Sequence, residues 1–288
     1  MADRKEFRGR VDFKGQVDFT DDTQIKIAGV DAHGPTGILY GRNETDKADP
    51  YQQGTTQLYP LGTELVYGGR HYRYAKMGSS GVTQGKLLQL ATALHADSKD
   101  LAPTADTAAG SKTLSVELGS GDGTGDIAAN FFADGFAVIN DGAGEGFAYK
   151  IKSHPAVDVS EDNTIILTLY DAIQVALVAS ADSKVDLFPN PYANVELAEH
   201  DSGTFTGQVV GATAMAMSAN NFGWIQTKGV AAILTQGAIV LGHAVVRAAS
   251  GTNGAVQAMG ADFVGDKPLG KVLLVAGSGE YSTIDLDI

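Results

Sequence analysis

Glycine at the ends of short apolar segments is the feature that most constrains this chain. Leu65-Val-Tyr67 stops at Gly68-Gly69, and Phe136-Ala-Val-Ile139 runs into a turn carrying Gly142, Gly144 and Gly146. Val230–Leu234 ends before Gly237, and the stretch up to Arg247 ends before Gly251-Thr-Asn-Gly254. Apolar side chains at alternate positions mark half-buried strands. Glycine supplies the positive φ that tight strand-to-strand turns need. With 36 glycines in 288 residues, the turns are dense enough to leave little room for helices of ordinary length. The expected fold is mainly β: a glycine-rich β-sandwich or small β-barrel modules, with an extended N-terminal arm and little helix.

Three regions follow from the pattern. Residues 1–58 read as an extended arm. Its start repeats a short unit, Phe7-Arg8-Gly-Arg10-Val11-Asp-Phe13 followed by Lys14-Gly-Gln-Val17-Asp-Phe19. Phe7, Val11, Phe13, Val17 and Phe19 can share one face, with charges opposite. Two units are too few for a solenoid, so pairing with a neighbouring chain is the better expectation. Residues 20–58 are polar and rich in turns and read as a long ordered loop or extension.

Residues 59–98 and 201–288 read as a β body. A hairpin is expected at Leu65–Tyr74, turning at Gly68-Gly69, with Arg70, Tyr72 and Tyr74 on one face and His71 and Arg73 on the other. Residues 82–94 suit a strand or a short helix, with strand the better expectation up to Leu90. Further strands are expected at 223–229, 230–234, 239–247, 255–259 and 271–275. The runs Val230–Leu234 and Lys271–Val275 are continuously apolar, which suits strands buried on both faces.

Residues 99–200 read as an inserted or second β module. Its strands are expected near 113–118, 136–139, 147–151 and 164–169, with a helical turn over Ile127–Phe132.

Chemistry is hard to find. Absence of cysteine removes disulfides, thiolate zinc sites and a cysteine nucleophile, and fits synthesis in a reducing cytosol. The loop Gly119–Asp126 offers Asp122 and Asp126, but no glutamate follows at the spacing of an EF-hand. Gly81 and Gly85-Lys86 lack the spacing of a phosphate loop, and Leu87 stands where Ser or Thr is needed. The histidines are scattered, with no pair at metal-ligand spacing, and there is no Gly-x-Ser-x-Gly elbow. No cofactor and no metal are expected. Paired carboxylates for glycan hydrolysis, Glu145 with Glu161 or Asp122 with Asp141, are the weakest functional reading.

Net charge is −13, and the first sixteen residues carry +2, so the rest carries −15. An acidic body repels nucleic-acid phosphates, so no direct nucleic-acid partner is expected. The first residues lack the apolar core of a signal peptide, and no apolar run has the length of a membrane helix. No membrane partner is expected. Trp224, Tyr72 and Tyr74 suit either core packing or an interface anchor.

Pro60-Leu-Gly62-Thr, Gly69-Arg70-His-Tyr72-Arg73-Tyr74-Ala-Lys with Gly78, Gly85-Lys86-Leu, and the glycine-punctuated stretch from Gly223-Trp224 to Val275 resemble tailed-phage capsid decoration (cement, or head-stabilising) proteins. The resemblance covers about half of the chain. It implies a structural virion protein rather than an enzyme. Such a protein binds the outside of an expanded capsid, with the major capsid protein and its own copies, as a homotrimer, for partners. It implies contact residues in the arm (Phe7, Arg8, Arg10, Val11, Phe13, Val17, Phe19) and in the body (Arg70, Tyr72, Tyr74, Trp224). It also implies manufacture in a bacterial cytoplasm and a final place on the virion exterior. A head fibre or a tail protein is the nearest alternative.

Overall fold

A computed structural model describes residues 38–40, 48–90, 98–118, 126–158, 162–179, 183–200, 207–260 and 267–288. In chain order the strands are β1 (Ile38–Tyr40), β2 (Gln53–Gly54), β3 (Glu64–Tyr67), β4 (Arg70–Lys76), β5 (Leu87–Gln89), β6 (Thr113–Glu117), β7 (Phe136–Asp141), β8 (Ala148–Ser153) and β9 (Thr164–Leu169). They continue with β10 (Lys184–Phe188), β11 (Glu196–Leu197), β12 (Val209–Thr213), β13 (Phe222–Leu234), β14 (Ala244–Arg247), β15 (Val256–Ala258), β16 (Gly270–Leu274) and β17 (Tyr281–Asp287). No α-helix occurs among the described residues, so the fold is mainly β as its glycine punctuation predicts.

Twelve strands form one sheet and five form another. The large sheet draws its strands from both ends of the described chain, in the order β1-β3-β4-β13-β17-β16-β14-β15, with β2, β5, β11 and β12 attached beside this path. β13 organises it. The first half of this 13-residue strand pairs with β4, and its second half pairs with β17. Sequence reading divides this stretch into two strands; the protein makes one, interrupted only by a register shift between Gln226 and Lys228. The Gln226 amide supports that shift, donating to the carbonyls of Lys228, Gly229 and Val230 at 3.2, 3.2 and 3.0 Å. Gly229 completes it with φ +87, where a Cβ would stand 3.1 Å from Gly69 O.

The β3–β4 hairpin forms where the sequence predicts it, with Tyr67 opposite Arg70 and positive φ at both Gly68 and Gly69. β1 and β2, by contrast, lie in a stretch expected to be loop. β1 runs parallel to β3, and β2 is held against β13. The Gln53 side chain fixes β2, accepting from Ser218 N–H at 2.7 Å and from the Asn221 amide at 3.1 Å. β5 is shorter than the strand expected over 82–90, because Gly85 turns the chain at φ +69 against Tyr281.

The five-stranded sheet has the order β10-β7-β8-β9-β6. Residues 101–104 span its two outer strands. Leu101 exchanges backbone hydrogen bonds with Val185 of β10 at 3.0 and 2.9 Å, while Ala102 O and Thr104 N–H bond to β6. The five strands and this segment therefore close into a small ring, which leaves neither outer strand open there. Alternate residues point inward and form one core, including Leu114, Val116, Ile139, Ile151, Ile165, Leu167 and Val185.

Phe132 joins that core from a turn. The helical turn expected over Ile127–Phe132 does not form: Ile127 bridges to Val157, and consecutive tight turns follow. Asn130 at φ 63 and Asp134 at φ 60 break any helical path.

Both sheets belong to one compact unit, Ile38–Ile288. The buried Asn190 amide ties them, donating to Asp134 O at 2.9 Å and to Leu61 O at 3.1 Å.

Candidate interaction surface

Alternation in β4 and β13 turns Tyr72, Tyr74 and Trp224 to the inside. Tyr72 is 0% exposed, and Tyr74 and Trp224 are each 3% exposed. Tyr74 meets Trp224 at 5.0 Å, Tyr59 at 5.2 Å and Phe222 at 6.2 Å between ring centres. Burial raises the Tyr74 and Tyr72 hydroxyl pKa values above the ordinary tyrosine range; Arg70 partly opposes the rise at Tyr72. Of the two roles open to these rings, core packing is the one the fold gives. Their burial is at odds with a place among the contact residues of the body.

Arg70 stays at the surface, its guanidinium over the rings of Tyr51 (5.8 Å) and Tyr72 (5.7 Å). On the opposite face of the hairpin, Glu64 accepts from His71 Nδ1 at 2.7 Å and lies 3.6 Å from Arg73. Phe7, Arg8, Arg10, Val11, Phe13, Val17 and Phe19 lie outside the described residues.

A surface that sequence reading missed lies on β13, β16 and β17. The runs Val230–Leu234 and Lys271–Val275 are not buried on both faces. Ala231, Ile233 and Val272 enter the core, while Val230 and the leucines of β16 face solvent.

The register explains why so much apolar surface remains outside. Val272 stands opposite Ile284 and Leu274 opposite Thr283, so Leu273 is an extra residue on its strand. Such a bulge re-aims side chains. Simple alternation would send one of two consecutive leucines inward. Here Leu273 is 40% and Leu274 is 66% exposed.

The turn before β14 lies alongside. Gly242 N–H donates to Val272 O at 2.8 Å, and Val272 N–H donates to His243 O at 3.0 Å. This brings exposed Val240 and Leu241 near β16, and Val275 and Tyr281, just past the end of β16 and at the start of β17, are exposed as well. Asp285 and Lys271, paired across the strands and exposed, give this surface a polar margin. Apolar clusters rimmed by polar residues characterise protein-binding surfaces. The sequence signal was present in the unbroken run Val272-Leu-Leu-Val275; what it lacked was the face each residue takes.

The described residues include no group of three or more His, Cys, Asp or Glu side chains placed to hold a metal ion. Glu145 and Asp141 are exposed on or beside a turn, while Glu161 and Asp122 lie outside the described residues. Among the described residues no helix is long and apolar enough to cross a membrane. His154 is buried for a structural purpose: its Nε2 accepts the Phe132 N–H at 2.9 Å, and its Nδ1 donates to Pro155 O at 2.7 Å. Burial lowers its pKa below the ordinary histidine value.

Comparison with protein-family models, with curated proteins and with solved structures found no match to this chain.

Proposed function

We propose that this chain is a structural virion protein that binds the outside of an expanded phage capsid and stabilises contacts between capsid subunits. The observation that carries the proposal is the exposed apolar cluster at the Leu273–Leu274 bulge. A bulge that leaves two adjacent leucines this far in water costs solubility. Burying that cluster against a protein neighbour would recover about 25 cal/mol for each Å² of apolar surface removed from water.

The resemblance of Pro60–Gly78 and Gly223–Val275 to capsid decoration proteins supplies the kind of neighbour. The major capsid protein is the partner, and other copies of this chain, assembled as a homotrimer, share the site. The protein is made in a bacterial cytoplasm and ends on the virion exterior. Its basic start, with alternating Phe and Val, supports a second contact: an extended arm that adds to a neighbour's sheet edge through backbone hydrogen bonds. Packaged DNA presses outward on a shell, and clamping works by added buried area without any reaction. A stable clamp of this kind buries more than about 1,000 Å².

Purified protein mixed with expanded shells that lack it, followed by imaging, tests the proposal. Density at three-fold or quasi-three-fold positions is the expected result. Shells that remain bare at saturating protein would remove it. Deleting residues 1–20 should weaken attachment while leaving the thermal transition of the body in place. Equal attachment by the truncated chain would remove the arm but not the apolar cluster.

A further inference from the structure

The outer face of the five-stranded ring carries a row of side chains drawn from three neighbouring strands. Phe136, at the start of β7, stands opposite Lys150 of β8. Tyr170, the residue after β9, donates its N–H to Lys150 O at 3.0 Å. Phe136 is 38% exposed and Tyr170 is 42% exposed, while their neighbours Ala137, Tyr149, Ile151 and Leu169 lie in the ring's core. Described strands border the row on both sides, β10 beyond β7 and β6 beyond β9. Adjacent strands lie about 4.8 Å apart, so the positions of Phe136 and Tyr170 are about 10 Å apart, with Lys150 between them. That is the span of two linked pyranose sugars. Aromatic faces are electron-rich, and they attract the weakly positive C–H bonds on one face of such a sugar.

The polar groups around the row combine donors with one fixed acceptor. Lys150 Nζ lies 5.5 Å from the centre of the Tyr170 ring and 3.7 Å from Asp134 Oδ1. The Tyr170 hydroxyl donates to the same carboxylate oxygen at 3.4 Å. Asp134 sits in a turn at φ 60, and its N–H donates to Ile151 O at 2.9 Å, so this acceptor has little freedom to move. From the β6 side, Lys112 Nζ donates to Tyr170 O at 2.8 Å. A carbonyl carries no net charge, so the Lys112 ammonium is not neutralised by that bond. Lys152 of β8 is exposed, and β8 contains no acid. Three lysines thus stand against Asp134 and the exposed Asp171, a local excess of positive charge in a chain of net charge −13. Local charge of this sign favours an anionic ligand.

We propose that this row binds an acidic polysaccharide built of uronate sugars. One pyranose stacks on Phe136 and another on Tyr170, ring hydroxyls bond with Asp134 and Lys150, and the uronate carboxylates lie at Lys112 and Lys152. This site does not depend on the virion reading and survives its failure.

The probes are tetrasaccharides of galacturonate, mannuronate, guluronate and hyaluronan, with cellotetraose and maltotetraose as neutral controls. Each is titrated into the full chain and followed by calorimetry. The expected result is saturable binding of at least one uronate at one site per chain, weakening as salt rises, with the neutral sugars bound less tightly. Lys112→Glu, at an exposed position, should weaken uronate binding about tenfold, the scale of one nearby charge reversed in partial solvent. Tyr170→Ser, checked for an intact thermal transition, should weaken it about fivefold, and Tyr170→Phe, which keeps the ring, should retain most of the affinity. No saturable binding by any of the uronates, neutral sugars bound as tightly, or uronate affinity unchanged in Lys112→Glu would overturn the proposal. So would a folded Tyr170→Ser chain that binds as before.

Discussion

Acid should loosen the five-stranded ring through a single histidine. His154 is 4% exposed and makes two hydrogen bonds that demand one neutral tautomer: Nε2 accepts from Phe132 N–H, and Nδ1 donates to Pro155 O. Phe132 is fully buried in the ring's core, so its turn has little freedom to move. Protonating Nε2 would put two N–H groups face to face and leave the Phe132 amide without an acceptor. A buried donor left unsatisfied costs about 1–3 kcal/mol, before the cost of burying the charge.

The sign follows from the lowered folded-state pKa. Above the unfolded-state value of about 6.5, both states are neutral and the full stability is present. Below it the unfolded chain takes up a proton that the folded chain refuses, so stability falls until pH reaches the folded-state pKa. The slope approaches about 1.4 kcal/mol per pH unit, and the loss at pH 5 is at most about 2 kcal/mol. Urea unfolding of the native chain and of His154→Gln, measured from pH 8 to pH 5, isolates this group, because other titrations are common to both. Glutamine keeps an acceptor but cannot titrate. The difference in stability between the two chains should shrink, or change sign in favour of the variant, as pH falls below 6.5. Parallel pH profiles would refute the reasoning.

Two further substitutions probe packing. In Gly135→Ala the new Cβ would stand 2.3 Å from Phe188 O and 2.9 Å from Phe132 O, both backbone atoms that cannot swing aside. Thermal or urea unfolding should show a loss of about 3 kcal/mol or more, the upper end of overpacking effects. Among the described residues the buried Tyr72 hydroxyl makes no hydrogen bond of good geometry, with Tyr51 its nearest polar neighbour. Tyr72→Phe should therefore leave stability unchanged or raise it by up to about 1 kcal/mol, and a clear loss would mean the hydroxyl is satisfied in solution.

Much of the fold was legible from two signals, period-two alternation and glycine. Thr113–Glu117 alternates cleanly, and the short apolar runs within Phe136–Asp141 and Thr164–Leu169, bounded by turn residues, announce strands of the same kind. Gly68-Gly69 announced its hairpin. What stayed hidden depends on partners remote in sequence. β2 has no apolar pattern and is held by the Gln53 amide reaching residues 218 and 221. Residues 101–104, with Pro103 and nearby alanines, carry no strand pattern, yet they pair with both β6 and β10. Alternation told that Tyr72 and Tyr74 share a face, but not that Trp224, Tyr59, Leu61 and Phe222 pack against them. The opposite error arose at Val230–Leu234 and Lys271–Val275. A continuous apolar run implies cover on both sides, and only the register of β16 against β17 reveals that one side is bare.

That bare side supplies the most direct measurement. Wild-type chain and the double variant Leu273→Ser, Leu274→Ser are titrated onto expanded shells lacking the protein, and bound chain is quantified after sedimentation. Both leucines are substantially exposed, so the variant should fold with an unchanged thermal transition. Removing the pair from a buried contact should cost about 2 kcal/mol, a loss of roughly thirtyfold in affinity. Saturable wild-type binding with that loss in the variant is the predicted result; no wild-type binding, or equal binding by the two chains, contradicts it.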